Sequence, residues 1–232
     1  MVTDIIFDFF GTLVDYSEKW DATDANTSYE YFCSLGFKME KQIFTKCFDD
    51  CFVDLTKKAI TNKSEFNMYD LGKYFFEKYF DHSIDDLSNK TFIENSINDW
   101  NKYVLYLDGI QNFIIDLSKK FRLSILSNTN YPDLIHRNLC KMNLNVYFNK
   151  VYTSVEIGTR KPNREIFEYV INDLNIKPSN SIFVGDNYND DYLGAKTVNM
   201  DCFLIDRHDR FPNTINNKIR NIFELTERID GT

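Results

Sequence analysis

Apolar residues fall along this chain in two textures, and the change from one to the other divides the sequence. Near the start and again through the second half they come as short unbroken runs: Ile5 to Phe7, Leu123 to Leu126 and Ile182 to Val184, with weaker ones at Val151 to Thr153 and Cys202 to Ile205. Runs of this length, rich in β-branched residues, predict strands buried on both faces, the habit of parallel sheets. Helical patterns lie between the later runs: Tyr131 to Cys140 with Pro132 suited to a first turn, Asn163 to Leu174 started by Pro162, and Asp190 to Val198. Strand and helix in alternation predict a parallel sheet covered by helices on both faces.

From Tyr16 to Tyr106 the apolar residues instead recur at helical spacing. Phe44, Phe48, Cys51 and Leu55 form one stripe, Met68, Leu71, Phe75 and Tyr79 a second, and Phe92, Ile93, Ile97, Trp100 and Val104 a third. Gly36 suits a helix stop and Ile60 to Phe66 a polar break, so a small α-helical bundle is expected as an insert after the first strand. The expected division is a Rossmann-like α/β core of residues 1–15 and 107–232 and a helical cap of residues 16–106 over the site. A closing amphipathic helix is expected from Ile215 to Ile229.

Composition narrows the partners. The formal charge of −8 supplies no positive field for nucleic acid or an anionic membrane, so an anionic substrate must be held by local groups. No apolar run approaches membrane-spanning length, and the first residues show no basic segment followed by a long apolar one. Five scattered cysteines, an odd number with no C-x-x-C pair, argue against a disulfide framework or a zinc site and point to the cytoplasm.

Four short polar elements follow strand-like runs or precede helices: Asp8-Phe9-Phe10-Gly11-Thr12-Leu13, then Leu126-Ser127-Asn128, then Gly158-Thr159-Arg160-Lys161-Pro162, and last Val184-Gly185-Asp186-Asn187-Tyr188-Asn189-Asp190-Asp191 with Gly194-Ala195 beyond. In a parallel sheet, ligands bind at the carboxyl ends of the strands, where Asp8, Ser127 and Asp186 are expected. In this order, and across essentially the whole chain, the four resemble the signature motifs of the haloacid dehalogenase superfamily.

That resemblance implies a Mg²⁺-dependent hydrolase, foremost a phosphatase of a small phosphorylated metabolite. Asp8 becomes the nucleophile, because a carboxylate held in line with phosphorus can split one hard displacement into two through an aspartyl-phosphate. Lys161 offsets the charge of the carboxylate and the transferring group. Thr12, Ser127 and Asn128 are neutral donors for phosphoryl oxygens. Asp8, Asp186, Asp191 and the Phe10 carbonyl are the implied oxygen ligands of the metal. Asp190 reads more simply as a helix cap, and Asp15 as a loop cap.

Phe10 departs from the phosphatase pattern, which has there a second Asp to protonate the leaving group. That assistance is worth on the order of 10²–10⁴ in rate. One alternative is a metal-independent 2-haloacid dehalogenase, in which halide leaves without a proton and the position is commonly aromatic. Against it stand the Gly185-Asp186 pair and a first half with no Arg before Arg122 to cradle a halide. A second alternative is a weakly active binder of phospho-ligands with a regulatory role. Tyr16, Lys19 and Trp20 are placed as substrate contacts by location only, while Cys47, Cys51 and Tyr74-Phe75-Phe76 are read as packing.

Overall fold

The structure, a computed structural model, describes residues 2–17, 24–212, 215 and 217–230. Contacts divide the chain into two compact units: residues up to Asp15 together with those from Tyr106 on, and Tyr16–Leu105 between them.

The first unit is built on β1 (Asp4–Phe7), to which five later strands add on either side. The short β2 (Val14–Tyr16) leads out of this unit. The second unit holds α1 (Asn26–Ser34), α2 (Lys41–Asn62), α3 (Met68–Phe80) and α4 (Asp86–Asn101), and β3 (Val104–Tyr106) leads back and pairs with β2. The remainder runs α5 (Ile110–Ser118), β4 (Arg122–Ser127), α6 (Pro132–Lys141), β5 (Lys150–Thr153), α7 (Ser154–Ile157), α8 (Arg164–Leu174), β6 (Ser181–Gly185), a π-turn (Tyr188–Leu193), α9 (Gly194–Lys196), β7 (Asp201–Ile205), β8 (Lys218–Ile219) and α10 (Leu225–Asp230).

Six strands form one parallel sheet in the order β5-β4-β1-β6-β7-β8. β1 and β6 are buried along their whole length, which explains why the sequence shows runs there and no alternation. Ile6, Leu126, Phe183 and Cys202 pack on one face against Ile166, Phe167 and Val170 of α8 and Ala195 of α9. All five predicted strands are present, and the sheet is the expected Rossmann-like one. Chain order places β4 on one side of β1 and β6 on the other, which opens the crevice where such sheets bind ligands.

In the helical unit, Phe32, Phe44, Phe75, Phe76 and Phe92 are wholly buried and meet mostly edge to face or tilted, with Phe75 stacked on Phe92. Buried aromatic rings are worth ~1.5–3 kcal/mol each by area removed from water. α3 begins with a capping box in which the Asn67 side chain accepts from Asp70 N–H and Asp70 from Asn67 N–H. α1 is capped from α4: Asp99 accepts from Ser28 N–H at 2.9 Å and Ser28 Oγ–H at 3.1 Å, and Lys102 Nζ lies 2.7 Å from it. The Tyr74-Phe75-Phe76 run is packing, with both phenylalanines buried and Tyr74 under Lys58.

Several boundaries differ from the sequence expectation. α2 continues through Ile60–Asn62, and the break begins at Lys63, whose left-handed backbone ends the helix. Val104 belongs to β3, because the helix stops at Asn101. α8 begins at Arg164 and not at Pro162, which follows a cis peptide bond. The expected closing helix is mostly something else: Lys218–Ile219 join the sheet beside β7, Asn221 turns the chain by accepting from Phe223 N–H, and only Leu225–Asp230 are α-helical. No described helix is long and apolar enough to cross a membrane.

Candidate active site

The carboxyl ends of β4, β1 and β6 set the candidate site. Phe7 pairs in register with Ile125 and Val184, so Asp8 emerges between the ends of its two neighbours, anchored by its N–H to Val184 carbonyl at 2.8 Å. The turn behind it closes through Gly11 N–H to Val14 carbonyl at 2.8 Å. Gly11 adopts φ +85°, and a Cβ there would collide with the Asp186 carboxylate. Glycine is thus required twice, by backbone hand and by close approach. Gly185, at the end of the adjacent β6, makes similar room, since a Cβ there would overlap the Asp191 side chain.

Lys161 reaches the middle of this group. Its side chain is 2% exposed, and Nζ donates to Asp8 Oδ1 at 2.8 Å and Asp191 Oδ1 at 2.6 Å. Asn128 holds the backbone that delivers it: Oδ1 accepts from Lys161 N–H at 2.9 Å, and Nδ2 donates to Lys161 carbonyl at 3.0 Å. The same Nδ2 lies 3.3 Å from Asp190 Oδ2. The Asn128 side chain, expected to face phosphoryl oxygens, is therefore engaged with the lysine loop. Asn187, and not Asp190, caps the π-turn, accepting from Asn189 N–H and Asp190 N–H at 3.0 Å each. Asn187 is the better placed because its short side chain precedes the turn, where the free N–H groups point.

Asp8, Asp186 and Asp191 bring carboxylate oxygens within 4.8 Å of one another. Burial pushes the Asp186 carboxyl up to about 6, with the Asp8 charge adding to it, and pushes Asp191 up to about 7. Burial works against the Lys161 ammonium, but Asp191 and Asp8 outweigh it and hold the lysine above its ordinary value. Burial likewise raises Asp190, against the pull of Lys161 and Arg160. Hard oxygen donors around one Mg²⁺ lie no more than ~4.2 Å apart, so this trio fits such an ion with little adjustment.

Ser127 ends β4 and is buried. Thr12 is fully buried, and its hydroxyl has no hydrogen-bond partner among the described residues. The Phe10 ring stands edge-on to Phe9 at 4.9 Å and carries no titratable atom. Tyr16 packs its ring against Trp100 at 5.4 Å, while Lys19 and Trp20 lie outside the described residues. All five cysteines are free thiols, Cys51 buried and Cys47 partly so. Sequence reasoning missed Arg207, just past β7, whose Nη1 donates to Gly11 carbonyl and whose Nε lies 3.6 Å from Asp15 Oδ2. Asp15, expected to cap its loop, lies within ion-pair distance of that guanidinium.

The sequence profile of haloacid dehalogenase-like hydrolases matches residues 5–205, and the chain belongs to that family. A glyceraldehyde 3-phosphate phosphatase of Methanothermobacter thermautotrophicus is 37% identical over 93 residues, a match spanning 40% of this chain and only 41% of that protein. A D-ribitol-5-phosphate phosphatase of Bacteroides thetaiotaomicron is 26% identical over 204 residues, covering 84% of this chain and 88% of the relative. Among solved structures, a 2-haloacid dehalogenase of Pseudomonas syringae superposes with a TM-score of 0.76 at 17% identity over 100% of this chain and 99% of that one, a likeness of fold.

Proposed function

We propose that this hydrolase is a phosphatase of a small phosphorylated metabolite that works through an aspartyl-phosphate on Asp8. The observation that carries the reading is Lys161, buried and bonded at once to Asp8 and Asp191 beside Asp186. A lysine in that place neutralises only a fraction of three carboxylates, and the remainder suits a divalent cation. Asp8, Asp186 and Asp191, with the Phe10 carbonyl, would hold Mg²⁺, which when bound supplies charge stabilisation for the transferring phosphoryl group. The orphaned Thr12 hydroxyl and Ser127 are the donors for phosphoryl oxygens. Asn128 contributes by fixing Lys161.

An Asp8 carboxylate oxygen attacks phosphorus as the ester oxygen departs. Water then attacks the acyl phosphate, releasing inorganic phosphate and restoring the carboxylate. Phe10 gives no proton to the departing oxygen, so the favoured substrates are those with good leaving groups, such as acyl, aryl or anhydride phosphates. The names of the two phosphatase relatives support a small phosphorylated substrate.

The test is a panel of phosphate compounds, including acetyl phosphate and p-nitrophenyl phosphate, assayed with Mg²⁺. Turnover that Asp8→Asn abolishes is the expected result; no such turnover ends the phosphatase reading. Phe10 and the Leu126-Ser127-Asn128 segment favour 2-haloacid dehalogenase as a second reading, and chloride release from 2-chloropropionate without metal would put it first.

A further inference from the structure

Arg207 stands immediately after β7, two strands away from Asp8 in the sheet order. Its turn is built to hold it still. The Asp206 carboxylate is buried and accepts from Arg210 N–H at 2.8 Å and Phe211 N–H at 3.0 Å, and Lys218 Nζ lies 3.4 Å away. From that base the guanidinium reaches back across the sheet end to the loop that follows Asp8. Nη1 donates to Gly11 carbonyl, Nε forms an ion pair with Asp15 at 3.6 Å, and Nη2 is buried with no hydrogen-bond partner among the described residues. Gly11 is also the residue whose bare Cα leaves room for the Asp186 carboxylate. A single side chain therefore holds the near and far ends of the Gly11–Asp15 turn. A planar fork can bond one acceptor and pair with a charge beside it in fixed directions, whereas a lysine ammonium acts as a single point charge.

We infer that Arg207 is a positioning residue of the reaction: by holding Gly11 and Asp15 from the end of β7, it fixes the loop that aims Asp8 and seats Asp186, without itself touching substrate. The inference rests on the reading of Asp8 as nucleophile. A loop held to its place is worth much in rate, because a displacement of about 1 Å at reacting groups can cost on the order of 10²-fold.

The experiment compares the full chain with its Arg207→Met and Arg207→Lys variants, using p-nitrophenyl phosphate and Mg²⁺ together with amide hydrogen exchange. Arg207→Met is expected to lower kcat by on the order of 10²-fold while KM stays within about twofold, the signature of lost orientation and retained binding. Added methylguanidine should restore some of that loss, and Arg207→Lys should fall between the two. The Leu13 and Val14 amides, which donate to Phe9 carbonyl, should exchange faster in both variants while those of β4 and β6 do not. A raised KM with unchanged kcat would make Arg207 a substrate contact, and an unchanged kcat would make it neither; each overturns the inference. Should Arg207→Met fail to fold, Arg207→Lys carries the same measurements. If the parent shows no turnover that depends on Asp8, the phosphatase reading falls by itself. Exchange then decides on Arg207: faster loop amides sustain the clamp, and unchanged ones remove it.

Discussion

Asp99 in the helical unit and Asp191 in the sheet unit are both buried carboxylates beside a lysine, Asp99 against one that is half exposed and Asp191 against one that is buried, and their carboxyls are driven in opposite directions. Burial works against the charge on Asp99, but Lys102 and the Ser28 N–H outweigh it and hold the group below the usual carboxylate range. Asp191 has its lysine too, but it shares that lysine with Asp8 and stands near Asp186, and burial lifts it to about 7. Asp99 has one lysine and the Ser28 N–H and hydroxyl to itself, so its charge is balanced within the fold. Three carboxylates around Lys161 share a single ammonium, the imbalance on which the proposed metal site rests.

The sharpest way to break this contrast is a pair of isosteric exchanges. Asp8→Asn is expected to lower turnover by at least ~10³-fold while leaving thermal stability unchanged or higher, since it removes one of three like charges. Asp99→Asn should leave the turnover of folded protein intact yet cost about 2 kcal/mol in urea unfolding, through the lost α1 cap and the weakened pair with Lys102. If both exchanges act alike, the two carboxylates do not differ in kind.

A smaller effect is expected from restoring an acid. Phe10→Asp should raise p-nitrophenyl phosphate or sugar phosphate hydrolysis by about tenfold, a fraction of the range that proton donation supplies. A fall would mean that leaving-group protonation is not what limits this site.

The smallest effect is one of sign. Asp186 and Asp191 keep their protons in the metal-free fold up to about 6 and about 7, whereas the unfolded chain releases them near 3.8. The native state then binds more protons through that window, so these two groups make stability fall as pH rises from 4 to 7. Asp99 acts the other way: its depressed value contributes stability above the unfolded pKa that is lost as pH drops through the folded one. Mg²⁺ should therefore stabilise the protein more at pH 8 than at pH 5, measured as the shift in melting temperature on adding the metal. An equal shift at both pH values would contradict the placement of the metal among these acids.

The sheet was legible because strands buried on both faces appear as unbroken apolar runs, and the helical unit because each helix buries one face only and so shows its apolar residues at helical spacing. β8 was not, since two residues in a polar stretch give no run at all and pair only because β7 is already there. Asp8, Lys161, Asp186 and Asp191, which the structure brings together, could be picked out one by one from the sequence, whereas the orientation of their neighbours could not. An asparagine at position 128 can face a ligand or its own chain, and only the position of Lys161 settles it toward the chain. Arg207 acts on a turn 196 positions earlier, a distance that no local pattern encodes.

The π-turn at Tyr188–Leu193 carries a consequence of a different sort. Asn187 carbonyl accepts from both Asp191 and Tyr192 N–H groups, a widened turn that holds Asp191 under Gly185 and against Lys161. Removing one residue between Asn187 and Asp191 would carry Asp191 about a quarter-turn or more away from its place against Lys161. Many exchanges of letter in this segment leave its count intact; a change of count does not. Among relatives that keep the chemistry, the interval from Asp186 to Asp191 should therefore hold its length even where Tyr188 and Asn189 vary freely.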